Sequence, residues 1–168
     1  MNKTARRMTL TSTLIAAALL TAGAAQAQVR TEKNISLALA VEAANEAVAS
    51  CLKSNYNVTA TVVDRAGQIR AQLRADNAGP HTNDTSRRKA FMSASTRNAT
   101  QAITEGVQKN PANAGIGQIT DFILLGGGVP IRAGNEVIGA IGVGGAPGGQ
   151  LDEVCANAGI DKIKDRLN

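Results

Sequence analysis

The stretch LGGGVPIRAGNEVIGAIGVGGAPGGQLDEVCANAGI, residues 125–160, decides the fold. Two runs within it, Val129–Arg132 and Val137–Val143, are rich in β-branched residues and predict two strands. The turn between them contains Gly134-Asn135, a pair that tolerates the positive φ of a tight hairpin. We therefore expect a β-hairpin here, followed by a helix from about Gly149 to Leu167.

The first half of the chain predicts a helix and a second hairpin. Ser36–Lys53 is Ala-rich with helical periodicity, and the β-branched run Val58–Val63 predicts a buried strand. After a turn, Gln68–Ala75 alternates between apolar and polar residues, which predicts a strand with one solvated face. Its inward positions would be Ile69, Ala71, Leu73 and Ala75.

The middle of the chain predicts two helices and one more strand. The helices would run from Asp84 or Thr85 to about Arg97 and from Thr100 to Val107. Residues 109–118 are polar and Gly-rich, which predicts a loop, and Ile119–Leu125 predicts a strand. This order predicts an α+β fold, an α-β-α layered domain on one five-stranded antiparallel sheet.

Residues 1–27 have the pattern of a secretory signal peptide. Lys3, Arg6 and Arg7 precede the short apolar run Leu10–Ala22, and Ala25-Gln26-Ala27 matches a cleavage site. The run is too short for a stable membrane insertion, although a retained amphipathic anchor is the alternative. We expect cleavage after Ala27, a periplasmic or secreted location, and a single domain at residues 28–168.

The net charge of the whole chain is +5, and the leader accounts for much of it. Removal of the leader takes three basic and no acidic residues, which leaves 15 basic and 13 acidic residues and a net charge of +2. Only Tyr56, Phe91 and Phe122 are aromatic, so stacking platforms for bases are scarce. We expect no nucleic-acid partner.

The two cysteines, Cys51 and Cys155, are predicted to point at the core from the first and last helices. In an oxidising compartment they either form a disulfide between these helices or remain two buried thiols. The apolar residues predicted on the same faces are Leu37, Val41, Ala44 and Val48 in the first helix and Leu151, Val154 and Ala158 in the last.

Several motifs resemble the GlcG/HbpS-like proteins, which are related to the C-terminal domain of PduO-type cobalamin adenosyltransferases. These motifs are GGGVPI, IGAIGV and the DEVCANAG helix, together with VVDRAGQIRAQLRADNAGPHT and the SRRKAFMSAST helix earlier in the chain. The resemblance covers nearly all of the chain after the first thirty or so residues. It implies a profilin-like or PAS-like fold, homo-oligomers such as dimers or rings, and binding of haem or a related tetrapyrrole.

His81 is the only histidine, and it follows Pro80 in AGPHT. The resemblance implies that His81 and Thr82 of this motif belong to a haem site, with His81 as the iron ligand. Imidazole is a usual axial ligand of haem iron. The alternative is a surface histidine without a role. Met92 is a weaker second candidate for a ligand.

Arg87 and Arg88 follow His81 on the same predicted helix and are candidates for pairing with haem propionates. Solvated helix surface is the alternative for both and for Lys89, since three consecutive residues fan across the helix. Gly127, Gly128 and Pro130 are candidates for a cofactor cleft walled by backbone. Alternatively, the glycines let strands and backbone approach one another closely.

Other chemistry has little support in the sequence. No nucleophilic triad can be assembled around the one histidine, and metal-cluster spacing is lacking. The scattered carboxylates, Asp64, Asp76, Asp121, Asp152 and Glu153, suggest no acid/base pair.

The leading hypothesis is therefore an exported haem- or tetrapyrrole-binding protein that captures, buffers or senses its ligand. Two alternatives remain. One is a haem-degrading enzyme, as the resemblance implies, and the other is a cofactor-free interaction or sensor module.

Overall fold

A computed structural model of the chain describes residues 28–167. By its internal contacts the chain divides into residues 1–32 and Lys33–Asn168. In the first unit, Arg30 forms an exposed ion pair with Glu32 at 2.9 Å. The predicted leader, residues 1–27, lies outside the described residues.

The second unit alternates helices with strand pairs. Within residues 28–167, no helix has the length and apolar character needed to cross a bilayer. Two 3₁₀ helices, Pro111–Gln118 and Lys164–Arg166, follow the third and fourth α-helices, so the predicted loop at 109–118 is partly helical. The other elements are α1 (Leu37–Lys53), β1 (Thr59–Asp64), β2 (Ile69–Arg74), α2 (His81–Thr96), α3 (Thr100–Lys109), β3 (Gly128–Ala133), β4 (Glu136–Gly144) and α4 (Gly149–Ile163).

The strands form one antiparallel sheet in the order β2-β1-β4-β3, which confirms the α+β class. β1 and β4 lie in the centre, with Val62 opposite Ile141. β3 and β4 form the predicted hairpin, because Ala133 pairs with Glu136 across the two-residue turn Gly134-Asn135. Gly134 has φ 60°, the left-handed conformation that this turn requires.

The predicted fifth strand is wrong, because Ile119–Leu125 contains a turn and pairs with no strand of the sheet. Asp121 has a positive φ of 67°, which interrupts an extended backbone. Phe122 is buried and packs edge-on against Phe91 of α2, with ring centroids 6.2 Å apart. The apolar residues that predicted a strand therefore pack partly against a helix instead.

One face of the sheet carries the apolar core against α1 and α4. Ala60 and Val62 of β1 and Ile141 and Val143 of β4 point to this face. Some predicted inward positions are wrong. Small residues on the helices face the sheet and let the helices pack closely against it, so larger apolar residues point outward. The outward residues are Leu37, Val41, Leu151 and Val154 on the helices and Ile69 on β2.

The opposite face of the sheet carries α2 on a layer of hydroxyl groups. Thr59 and Thr61 of β1 lie 2.7 Å from the hydroxyls of Thr82 and Ser86, respectively, and all four side chains are buried. Hydrogen bonding satisfies these buried groups, so polar residues can form this interface. α2 begins at His81, earlier than predicted, because Pro80 has a helical φ of −61° and can precede a first turn.

Glycines on β4 allow α2 to touch the strand backbone. A Cβ on Gly142 would lie 2.2 Å from the carbonyl oxygen of Ser86 and 2.5 Å from the amide nitrogen of Ala90. Both atoms belong to the helix backbone, which cannot rotate away. α2 and β4 therefore meet at a distance that no side chain at position 142 would permit.

The predicted disulfide between Cys51 and Cys155 is present and joins α1 to α4. The two Cα atoms are 5.5 Å apart, and the bond closes a sequence separation of 104 residues. In the chain-entropy model a loop of this length adds about 4 to 5 kcal/mol to the free energy of unfolding.

Replacement of Gly142 by Ala should lower the free energy of unfolding by about 1–3 kcal/mol, because the new methyl group overlaps the backbone of α2. Urea unfolding at constant pH measures the change. Gly106→Ala on α3 is the matched control, since a Cβ there has nothing within 4 Å and should stabilise the helix slightly. Equal unfolding free energies for Gly142→Ala and the wild type would contradict the contact.

Candidate functional site

His81 is the first residue of α2, and its side chain is exposed. A Cβ on Gly79 would lie 2.7 Å from Cε1 and 2.9 Å from Nδ1 of the imidazole, so the ring packs directly over that glycine. Nε2 lies farther away, at 3.9 Å from the same point. Of the two ring nitrogens, Nε2 is therefore the less obstructed by Gly79.

A cavity of about 270 Å³ lies beside His81. One wall is a stripe on α2, where His81, Thr85 and Lys89 recur every four residues and so share a helix face. The other wall is the segment Gly145–Gly149, here called the glycine loop, which joins β4 to α4. Leu125 and Asp152 complete the lining.

An ion pair between Lys89 and Asp152 borders this cavity. Nζ of Lys89 is 2.7 Å from Oδ2 of Asp152, and the two side chains are only 3% and 4% exposed. Lys89 also donates to the carbonyl oxygen of Val143 at 2.9 Å, and Oδ1 of Asp152 accepts from the amide of Ala146 at 3.0 Å. Burial raises the pKa of Asp152, and the charge of Lys89 opposes that rise.

Gly127, one of the predicted cofactor-cleft residues, lies against this ion pair and is not part of the cavity lining. Its φ is 112°, and a Cβ there would lie 2.6 Å from Cβ of Asp152 and 3.1 Å from Nζ of Lys89. Gly128 serves a different contact, since its amide donates to Oγ1 of Thr100 at 2.9 Å. Both glycines thus let neighbouring side chains and backbone approach closely, the alternative to a cofactor cleft.

Thr82 and Pro130, also predicted as site residues, lie outside the cavity lining. The buried hydroxyl of Thr82 donates to the carbonyl oxygen of Gly79 at 2.6 Å and lies 2.7 Å from the hydroxyl of Thr59. Pro130 is half-buried on β3, opposite Ala140 of β4. Their observed contacts hold α2 and the hairpin in place.

Arg87 and Arg88, the predicted propionate partners, bind the segment that follows the first 3₁₀ helix. Arg87 forms ion pairs with Asp84 at 2.8 Å and Asp121 at 2.7 Å. The hydrogen bond from Arg87 holds the pKa of Asp121 below its ordinary value. Arg88 donates to the carbonyl oxygen of Phe122. The structure therefore does not bring these guanidinium groups together with His81 in one cavity lining.

The sequence does not reveal the Lys89–Asp152 pair, and it favours a solvated helix surface for Lys89 over pairing with a propionate. Its spacing of eight residues from His81 was a usable signal, because it puts both on one face of α2. Asp152 gave no such signal, since it lies 63 residues further along the chain. Met92, the weaker ligand candidate, is fully buried in the interior.

Glu153 follows Asp152 and lies beside the start of β3. Its carboxylate accepts a hydrogen bond from the amide of Gly127, and Oε2 is buried without a hydrogen-bond partner among residues 28–167. Burial, and then repulsion by Glu105, raise the pKa of Glu153. Gln101 donates to Oε1 of Glu105 at 2.8 Å, a contact within α3. In the same described range, no group of three or more His, Cys, Asp or Glu side chains is arranged to hold a metal ion.

The fold and the cavity define a small α+β domain in which the one histidine stands beside a glycine loop at the end of β4. The chain belongs to the HbpS-like family, since the family model described as "Haem degrading protein HbpS-like" matches residues 35–161. The resemblance found in the sequence is thereby confirmed.

Relatives and solved structures agree with this assignment. An uncharacterized 15.0 kDa protein in the dhaT-dhaS intergenic region of Citrobacter freundii is 34% identical over 130 residues, covering 76% of this chain and 90% of that protein. A double mutant of Streptomyces reticuli HbpS is 34% identical with a TM-score of 0.74, covering 82% of this chain and 96% of that chain. Klebsiella pneumoniae ORFY is 29% identical with a TM-score of 0.77, covering 83% and 97%. The PduOC:heme complex shares the fold, with a TM-score of 0.71 at 21% identity over 77% of this chain and 95% of that chain.

Replacement of Glu153 by Gln should stabilise the protein increasingly as the pH rises. A carboxyl whose pKa is raised by folding contributes stability below its ordinary value of 4.5, and this contribution is lost as the pH passes through the raised value. The side-chain amide of glutamine does not titrate, so the variant does not lose this stability as the pH rises. Urea unfolding of both proteins between about pH 4 and pH 8 measures the difference, and a difference that does not grow with pH would contradict the raised pKa.

Proposed function

We propose that this protein binds haem or a related tetrapyrrole, for capture, buffering or sensing, and that His81 supplies the iron ligand. The observation that carries the proposal is the position of His81, which is exposed at one end of the stripe that lines the cavity. Membership of the HbpS-like family supports it, as does the shared fold of the PduOC:heme complex. Bound haem iron would supply redox and ligand-binding chemistry at this position.

The residues present fit one edge of such a ligand. The exposed imidazole matches a usual axial ligand of haem iron, and the glycine loop gives a wall without large side chains. The volume of about 270 Å³ is below the roughly 300–1,000 Å³ of sites that enclose drug-sized ligands. The cavity therefore admits the edge of a macrocycle, with the remainder covered by solvent or by a second subunit.

Arg87 and Arg88 have a smaller part in this proposal than His81. Arg87 already binds two carboxylates, and Arg88 binds a backbone carbonyl. Pairing with propionates would require them to exchange these partners, so the net gain is small. Thr82, Gly127, Gly128 and Pro130 contribute by shaping the elements around the cavity.

Haem degradation is the second candidate function, and the description of the matching family model favours it. The two functions differ in the fate of the bound ligand. A binding protein keeps a stable Soret band after a reductant is added in air, whereas a degrading enzyme loses it. A protein that leaves the haemin spectrum unchanged would instead be a cofactor-free interaction module.

The protein should be exported and self-associated, given the signal-peptide pattern of residues 1–27 and the exposed apolar residues Leu37, Val41 and Val154 on α1 and α4. Native mass spectrometry of the exported protein should show chains that begin at Gln28 in particles of at least two copies. A chain that retains Met1 would overturn the periplasmic or secreted location, and a monomer at micromolar concentration would overturn the homo-oligomer.

Replacement of His81 by Ala should lower the affinity for haemin by about tenfold or more, a loss of at least roughly 1.4 kcal/mol. The substitution removes the iron ligand but keeps the cavity, so the Soret band should also lose its histidine-ligated position. Spectrophotometric titration with haemin measures both.

Arg88→Ala is the control on the same helix. It should weaken the free energy of haemin binding by about 1 kcal/mol or less, as expected for one partly exposed polar contact. An unchanged spectrum and affinity in His81→Ala would overturn the ligand assignment.

A further inference from the structure

The ion pair of Lys89 and Asp152 fixes the backbone on both sides of the turn from β4 into the glycine loop. Lys89 binds the carbonyl oxygen of Val143 at 2.9 Å, and Asp152 binds the amide of Ala146 at 3.0 Å. Between these two points lie Gly144 and Gly145, and Gly145 has φ 129°. Gly144 is held in the sheet by pairing with Thr59 of β1, whereas Gly145 begins the glycine loop, whose position depends on the groups that bind it.

Stability alone is a poor explanation for this pair. Two charges that are 3% and 4% exposed carry a large desolvation cost, and apolar replacements of both partners are often neutral or stabilising. The structure nevertheless makes room for the pair at Gly127, where any Cβ would lie 3.1 Å from Nζ of Lys89. What the pair adds beyond burial is one bond to the end of β4, at Val143, and one bond to the loop backbone, at Ala146.

The position of that loop determines the shape of the cavity. Lys89 and His81 lie on the same face of α2, and the glycine loop forms the opposite wall. The width of the cavity beside His81 is therefore the separation between α2 and the loop. Lys89 is part of α2 and Val143 belongs to β4, so Lys89 reaches the loop wall through Asp152, which accepts from the amide of Ala146.

We propose that Lys89 and Asp152 are positioning residues for the tetrapyrrole site, which hold the glycine loop against α2 and so preform the cavity beside His81. This inference rests on the proposed function. Asp152 holds Ala146 and, through Lys89, connects the start of α4 to α2. Neither residue is assigned a contact with iron.

The first test measures the loop without any ligand. Hydrogen exchange at the amide of Ala146 should accelerate by about tenfold or more in Lys89→Met, because the carboxylate of Asp152 that accepts from this amide loses its counter-ion and its connection to α2. Arg87→Met is the matched control on the same helix, since it removes an ion pair with Asp121 that does not reach the loop. Its loop exchange should match that of the wild type.

The second test separates positioning from stability. A double variant, Lys89→Met with Asp152→Leu, replaces both charges by apolar groups and should unfold at a urea concentration close to that of the wild type. If the pair positions the loop, this stable variant should still show faster exchange at Ala146 and about a tenfold loss of haemin affinity, with His81-ligated Soret character in the fraction that binds. It also provides the measurement if the single variant does not fold.

The outcomes distinguish this inference from the proposed function. Wild-type loop exchange and wild-type haemin affinity in the double variant would overturn the positioning role, while a loss of binding in His81→Ala would still support the function. A wild-type protein that leaves the haemin spectrum unchanged would overturn the function and, with it, the role assigned to the pair.

Discussion

The direct contact between the backbone of α2 and the strand β4 is the constraint on which the rest of the structure depends. At Gly142 the helix approaches so closely that a Cβ would lie 2.2 Å from the carbonyl oxygen of Ser86. Because α2 lies so close to the sheet, its hydroxyl groups contact those of β1. The side chain of Lys89 likewise extends past Gly127 to Asp152 of α4. The same approach places His81 next to the loop that leaves β4. The cavity thus depends on glycines, which have no side chain, at a few positions of the sheet.

Local patterns predicted most of the fold correctly. The β3–β4 hairpin was predictable because its turn chemistry and its strand composition lie within a few residues of each other. The segment Ile119–Leu125 was not, because its apolar residues satisfy a strand pattern but pack against α2 through Phe122. Periodicity indicates that residues are buried, yet it does not identify the partner against which they are buried.

The candidate site was predictable in part for the same reason. His81 stood out as the only imidazole of the chain, whereas the pairing of Lys89 with Asp152 depends on tertiary contact across 63 residues. The sequence marks the glycines at 127 and 128 as a conformational feature, but it does not distinguish a cofactor wall from close backbone approach. The structure favours the latter, since atoms of the protein itself occupy the space beside both glycines.

Buried and half-buried charged groups meet near the start of α4. Asp152 lies against Lys89, and Glu153 next to it faces Glu105 and the amide of Gly127. A helix N-terminus favours carboxylates in its first turn, which offsets part of the cost of burying Asp152. The beginning of α4 therefore combines the glycine loop, a buried ion pair and a carboxyl with a raised pKa within a few residues.

The disulfide between Cys51 and Cys155 has a topological consequence. All four strands, α2 and α3 lie between the two cysteines, so most of the domain forms a single covalent ring. A protease that cuts once in the exposed stretch at residues 111–115 opens the ring but releases no fragment, because the two pieces remain joined through sulfur. Such a nicked molecule keeps both halves of its sheet within reach of each other, and its fragments separate only after reduction.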